Sequence, residues 1–243
     1  MSPYFRQLDD ERFEALEPSI GPWSDAHLHG GPPSALAAGR LEAVLGETFR
    51  VVRLHVEIVR PIPLGELTLR TEIRREGRTV RAASAHITDP GGNVVMTSDA
   101  LAIAVQELDL DLDPPPLDEA GPDDATPTVL SVFEDVHGYG AAMEVRLARG
   151  VLGSGDVMAW FRSRVPLLDG QVMSPLERLM TAADSGNGVS ARLNPRETSF
   201  INPDLTVALH RYPTGEWIGL AARTDVDHQG VGLADARLYD ARG

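Results

Sequence analysis

Two groups of residues have the types and spacing to do chemistry. Leu176, Leu179, Met180 and Ala183 recur at helical spacing, and Asp184 takes the next place on that apolar stripe. A carboxylate on a buried face near the negative end of a helix is expected to have a raised pKa, which suits a general base drawing a proton from water. The same spacing fits a side chain that only bonds the loop beyond it, where Gly186-Asn187-Gly188 predicts a left-handed helix exit. Both readings of Asp184 stand. The second group, His29-Gly30-Gly31, precedes a predicted helix and could present backbone N–H groups to an oxyanion or a phosphate.

Other chemistries find less support. Asp25-Ala26-His27-Leu28-His29 matches the Asp-x-His-x-His pattern of metal-dependent amidohydrolases, but that motif should close a barrel strand and lead into alternating strands and helices. Antiparallel strand patterns follow instead, so His27 and His29 read as turn residues and no metal is expected. Ser185 follows Ala183-Asp184 without a Gly-x-Ser-x-Gly elbow, which argues against a serine hydrolase. The 243 residues include no cysteine, excluding a thiolate nucleophile, a disulfide scaffold and zinc–cysteine sites. With a net charge of −14 and no basic stripe, nucleic acid is a poor partner. The polar N-terminus shows neither a signal peptide nor a membrane helix, so a cytoplasmic protein is expected.

The elements that must position these residues follow from local signals. Ser174-Pro175-Leu176-Glu177 forms a capping box and starts a helix at Pro175. A helix-like stretch also covers Pro33 to Leu45, where Glu42 stands nine residues after Pro33 as Asp184 stands nine after Pro175; Glu42 reads as structural. Strands are predicted near 51–60, 66–75, 79–88 and 93–105, and again near 143–148, 157–165, 204–211, 216–225 and 231–239. Short connections make neighbouring strands antiparallel.

Two landmarks show that the chain is internally duplicated. Leu54, Val56 and Ile58 before Arg60 reappear as Leu205, Val207 and Leu209 before Arg211, an offset of 211 − 60 = 151. The turn at Asp89 returns at Asp240, and 240 − 89 is again 151. A strand follows the first turn, whereas the sequence ends after the second, so the expectation is a trimmed chain or a last strand supplied by a partner. Between the copies, residues 107–127 carry Pro114, Pro115, Pro116 and Pro122, and 107–124 holds eight acids without a basic residue, which predicts an extended linker. The expected division is a first repeat over 1–106, the linker over 107–127 and a second repeat over 128–243.

Taken together, His29-Gly30-Gly31-Pro32-Pro33, Val59-Arg60-Pro61 with Gly65, Ser174-Pro175-Leu176, Ala183-Asp184-Ser185-Gly186-Asn187-Gly188 and Phe200-Ile201-Asn202-Pro203-Asp204-Leu205 resemble the double hot-dog proteins of the acyl-CoA thioesterase II type, nearest the actinobacterial branch. The resemblance implies an α+β fold of two repeats, each a curved antiparallel sheet around a central helix. It implies hydrolysis of acyl-CoA thioesters without a cofactor, and a homodimer or higher oligomer. The family's aspartate falls on Asp184 and its hydroxyl residue on Asn202; its glutamine belongs to the strand missing from the second copy. His29, Gly30 and Gly31 would contact the thioester, and Leu176 and Met180 would line the acyl slot. The departures from the family pattern keep a non-catalytic acyl-CoA or lipid-binding module as the alternative.

Overall fold

The computed structural model describes residues 2–110, 117–130, 137–194, 197–198 and 200–243; residues 111–116 of the expected linker lie outside the described residues. In chain order the elements are β1 (Phe5–Gln7), β2 (Arg12–Ala15), a 3-10 turn (Glu17–Ser19), α1 (Gly31–Leu45), β3 (Phe49–Ile58), β4 (Gly65–Glu76), β5 (Val80–Thr88), β6 (Val94–Ala104), β7 (Thr126–Thr128), α2 (Gly138–Ala142), β8 (Met143–Arg149), β9 (Asp156–Ser163), α3 (Pro175–Ala183), α4 (Gly186–Ser190), β10 (Asp204–Ala208), β11 (Ile218–Val226) and β12 (Gly232–Tyr239). The strands form two antiparallel sheets, ordered β1-β2-β4-β5-β6-β3-β10 and β12-β11-β9-β8-β7.

The expected α+β architecture is present, and each half has its own helix packed against a sheet. Strand alternation decides which side chains enter the core: Leu67 and Leu69 of β4 and Leu54 and Val56 of β3 are buried while their neighbours are more exposed. α1 is rich in alanine, and Ala35, Ala37 and Ala38 let it lie close to the sheet. β1, β2, β7, the 3-10 turn, α2 and α4 were not legible as elements, because each is only three to five residues long and is held by tertiary pairing.

β10, though it belongs to the second copy, pairs antiparallel with β3 of the first, with Leu205 opposite Val56 and Val207 opposite Leu54. His55 lies opposite Thr206, and their side chains meet at 2.8 Å between Nδ1 and Oγ1. These two residues are 151 apart, so the repeat offset maps one onto the other and the pseudo-twofold axis passes between them. In the first copy β6 pairs with both β5 and β3. The corresponding strands of the second copy, β12 and β10, are both sheet edges with no strand joining them among the described residues, and β12 is exposed from Gly232 to Arg237.

Residues 117–126 lie across the outer face of the second sheet rather than standing free in solvent. Trp160 donates its indole N–H to the Ala120 carbonyl at 2.8 Å, Arg146 reaches the Pro122 carbonyl at 2.8 Å, and Ala125 joins Met158 and Trp160 in a small separate core. No described helix is long and apolar enough to cross a membrane.

Candidate active site at the junction of the two repeats

α1 and α3 pack against each other in opposite directions: the start of α1 meets the end of α3, and Gly39 meets Glu177 at the opposite end of the contact. The predicted capping box fixes where α3 begins. Ser174 Oγ accepts the Glu177 N–H at 3.2 Å, and Glu177 Oε2 accepts the Ser174 N–H at 2.7 Å. At its other end the helix departs from expectation. Asp184 and Ser185 remain right-handed with ψ of −4° and −2°, and the chain re-enters helix as α4. Neither Gly186 nor Gly188 has a positive φ, so the glycines do not form a left-handed exit. The break comes from the flattened ψ values, with the Ser185 N–H turning to the Ala182 carbonyl three residues back. Asp184 therefore caps α3.

The Asp184 side chain is only 10% exposed and sits between the two halves of the molecule. Asn202, just ahead of β10, donates from Nδ2 to Asp184 Oδ1 at 3.2 Å, and its own Oδ1 accepts from Asn187 Nδ2 at 3.1 Å. Because a carboxylate only accepts, it fixes which end of the Asn202 amide faces it. Asn187, expected to serve the helix exit, instead orients Asn202. Asp184 Oδ2 lies over the start of α1, where a Cβ built on Gly30 would come within 2.8 Å of it. On Gly31 a Cβ would lie 2.2 Å from the Thr181 carbonyl oxygen. The glycine pair thus lets the two helix ends touch.

The start of α1 has few backbone N–H groups left to present to an oxyanion. Pro32 and Pro33 have no N–H, the Ser34 N–H bonds the Gly30 carbonyl, and the Gly31 N–H donates to His29 Nδ1 at 3.1 Å. His29 is 11% exposed and stacks flat on the Tyr139 ring, with centroids 3.8 Å apart and planes 2° from parallel. Burial pushes its imidazole below the ordinary value, against the opposing pull of Asp184. The neutral ring accepts at Nδ1 and so carries its proton on Nε2. His29 Nδ1 and Asp184 Oδ2 are 3.5 Å apart but, in that state, share no hydrogen. Beneath the ring, the Tyr139 hydroxyl bonds the Thr181 carbonyl at 2.9 Å and Ser185 Oγ at 2.8 Å.

Structure therefore brings Asp184, Asn202, His29, Gly30 and Gly31 together, although they come from both copies. Leu176 and Met180 are fully buried among core side chains and take no part in the polar cluster. The Asp25-x-His-x-His pattern is dispersed: Asp25 is 88% exposed and meets His137, while His29 Nδ1 is turned to Gly31. Tyr139, Ser185 and Asn187 join this cluster; Ser185 and Asn187 lie in the Ala183–Gly188 segment that carries the resemblance, whereas no sequence pattern points to Tyr139. Nothing in the local sequence around Tyr139 marks a residue that packs beneath His29.

Two family descriptions match this chain: an acyl-CoA thioesterase N-terminal domain over residues 19–103 and an acyl-CoA thioesterase C-terminal domain over residues 111–243. The chain belongs to the acyl-CoA thioesterase family. Among solved structures, a protein of Novosphingobium aromaticivorans described as a thioesterase candidate is 23% identical with a TM-score of 0.75, over 100% of this chain and 94% of that one. The acyl-CoA thioesterase II TesB2 of Mycobacterium marinum is 18% identical with a TM-score of 0.63, over 97% and 88%. A conserved protein of Alicyclobacillus acidocaldarius with a hot-dog fold is 15% identical with a TM-score of 0.66, over 96% and 93%. No curated protein matches. These neighbours bear out the double hot-dog fold, and membership in the acyl-CoA thioesterase family supports thioester hydrolysis as its general chemistry.

Proposed function

We propose that this member of the acyl-CoA thioesterase family hydrolyses acyl-CoA thioesters with a water activated by Asp184. The observation carrying this reading is the placement of Asp184: a nearly buried carboxylate with Oδ1 held by Asn202 and Oδ2 against Gly30. Asn202 occupies one of roughly four lone-pair positions on the carboxylate, leaving others to accept from water. Asp184 takes a proton as the water oxygen bonds the thioester carbonyl carbon. The tetrahedral species then collapses with cleavage of the C–S bond, and the proton passes to the departing thiolate, giving free acid and CoA. The second N–H of the Asn202 amide is the donor this site can turn toward the developing oxyanion.

One observation favours a binding-only protein instead: the Gly31 N–H, one of the donors expected to face an oxyanion, is spent on His29. Thiol release from short, medium and long acyl-CoAs, for wild type and Asp184→Asn, separates the two. General-base catalysis of this kind is worth about 10²- to 10⁴-fold, so turnover should fall by at least about 100-fold in the variant. Equal turnover in both would remove Asp184 from the mechanism. Acyl-CoA binding without turnover by wild type would favour the binding module.

A further inference from the structure

Asp184 depends on two walls, and a single buried side chain touches both. One wall is the end of α3, where Ser185 and the Thr181 carbonyl meet the Tyr139 hydroxyl. Tyr139 has one hydroxyl proton, which goes to the Thr181 carbonyl, so Ser185 donates to Tyr139. The other wall is the His29-Gly30-Gly31 turn, pinned by the Gly31 N–H on His29 Nδ1 and by the His29 ring lying on Tyr139. Tyr139 is itself anchored: its N–H bonds the Ile20 carbonyl at 2.9 Å, and the preceding Gly138 N–H bonds Glu17 Oε1 at 2.8 Å. The phenol and the imidazole are thereby a brace between the two repeats.

We propose that Tyr139 and His29 are positioning residues that hold the Asp184 carboxylate in its working place, and that protonation of His29 disengages it. This rests on hydrolysis at Asp184. Among the described residues, the titratable groups facing the His29 ring are Asp184 from the end of α3 and Tyr139 from α2, and Asp184 supplies the charge that acts on it. A proton added at Nδ1 breaks the bond from Gly31 and turns His29 into an imidazolium 3.5 Å from Oδ2. Asp184 is then ion-paired, which stabilises its ionised form and makes it a weaker base toward water. A proton on either member of the His29–Asp184 pair thus lowers activity, so the acid limb belongs to the pair and sets in at higher pH than it would for the carboxylate alone.

Three variants test this together. Tyr139→Phe keeps the stack but removes both hydroxyl bonds; it should lower kcat about ten-fold with KM within about two-fold, as expected when a reacting group is displaced slightly. His29→Gln keeps a hydrogen-bond acceptor for Gly31 but cannot titrate; its acid limb of log kcat against pH should move to lower pH than the wild-type limb. Wild-type kcat in Tyr139→Phe, or an acid limb at the wild-type pH in His29→Gln, overturns the proposal. Asp184→Asn, assayed alongside, separates the failures: an active Asp184→Asn sinks the hydrolysis reading, whereas an inactive one beside two unaffected variants sinks only the brace. An arm that needs no turnover is NMR titration of the His29 imidazole. Asp184→Asn should lower its pKa in wild type and lower it less in a Tyr139→Phe background; an equal shift in both backgrounds overturns the proposal.

Discussion

Arg211 and Asp240 form a two-point ion pair, with Arg211 Nη2 at 3.1 Å from Oδ1 and Nη1 on Oδ2 of a carboxylate that has no exposed side-chain surface. They are also the two residues whose recurrence, 151 after Arg60 and Asp89, marks the duplication. In the first copy the corresponding Asp89 is at the surface and bonds Asn93, with Arg60 only a minor influence. Burial alone would raise the Asp240 pKa, but Arg211 and the hydrogen bonds from Thr214 and the Arg242 N–H hold it far below the usual carboxylate range.

That relationship sets a stability prediction. A carboxylate whose folded pKa is depressed stabilises the fold at pH values above its unfolded pKa, near 4, and loses that contribution as pH falls toward the folded value. Asp240→Asn leaves Arg211 without its partner and should cost about 3 kcal/mol at neutral pH. Denaturant melts from pH 7 down to pH 2 should show the gap between wild type and variant closing below about pH 4. A gap independent of pH would mean that packing, not charge, makes the contribution.

Glu177 behaves in the opposite sense. Burial raises its pKa and nearby Glu42 adds to the rise, against the bond from the Ser174 N–H. A carboxylate raised in this way favours the folded state below its unfolded pKa, and that advantage is lost as pH rises through the folded value. Glu177→Gln retains an oxygen for the capping box and carries no charge. It should therefore melt at a higher temperature than wild type at pH 7, with the difference vanishing in acid, which calorimetry at neutral and acid pH would check.

The glycine pair before α1 should separate fold from activity. Gly31→Ala places a methyl against the Thr181 carbonyl, which is backbone and cannot swing aside, so the helix ends must part at a cost of about 3 kcal/mol or more. In Gly30→Ala the methyl instead meets the Asp184 carboxylate at 2.8 Å. This variant should lose less stability than Gly31→Ala, because side-chain atoms of Asp184 and Ile58 rather than backbone must give way, yet lose about 100-fold in turnover, because the displaced group is the proposed base. Melting curves and thiol-release rates measured on both proteins would show whether the two effects divide in this way.

Asn202 offers a test of charge at the site. Asn202→Asp replaces a donor to Asp184 Oδ1 with a second carboxylate, so one of the two must take up a proton. Turnover at pH 7 should fall by about 100-fold, whereas Asn202→Thr, whose hydroxyl can still donate, should fall by about ten-fold or less. Equal losses in the two variants would show that the site needs the amide itself rather than any donor.

Much of the architecture was legible in the sequence because it rests on short-range rules. Alternating apolar residues place β3, β4 and β11 within a few residues of their ends, and Ser174-Pro175-Leu176-Glu177 places the start of α3, since a capping box is closed by residues three apart. The 151-residue offset carried the duplication, and the pairing of His55 with Thr206 follows from it once the two copies associate. The site was legible only in its members. Asp184 could be named from its place on the apolar stripe of its helix and Asn202 from a resemblance to a family, but what surrounds them is set by the meeting of α1 with α3 and of α2 with the His29 turn. That contact decides that Gly31 serves close approach and spends its N–H on His29, that Asn187 holds Asn202, and that Tyr139 lies beneath His29. Sequence periodicity reports which face of an element is apolar, because that depends on neighbours three or four residues away. Which polar groups meet across two copies of a fold depends on how far apart the helix ends come to rest, and only the packed tertiary structure decides that distance.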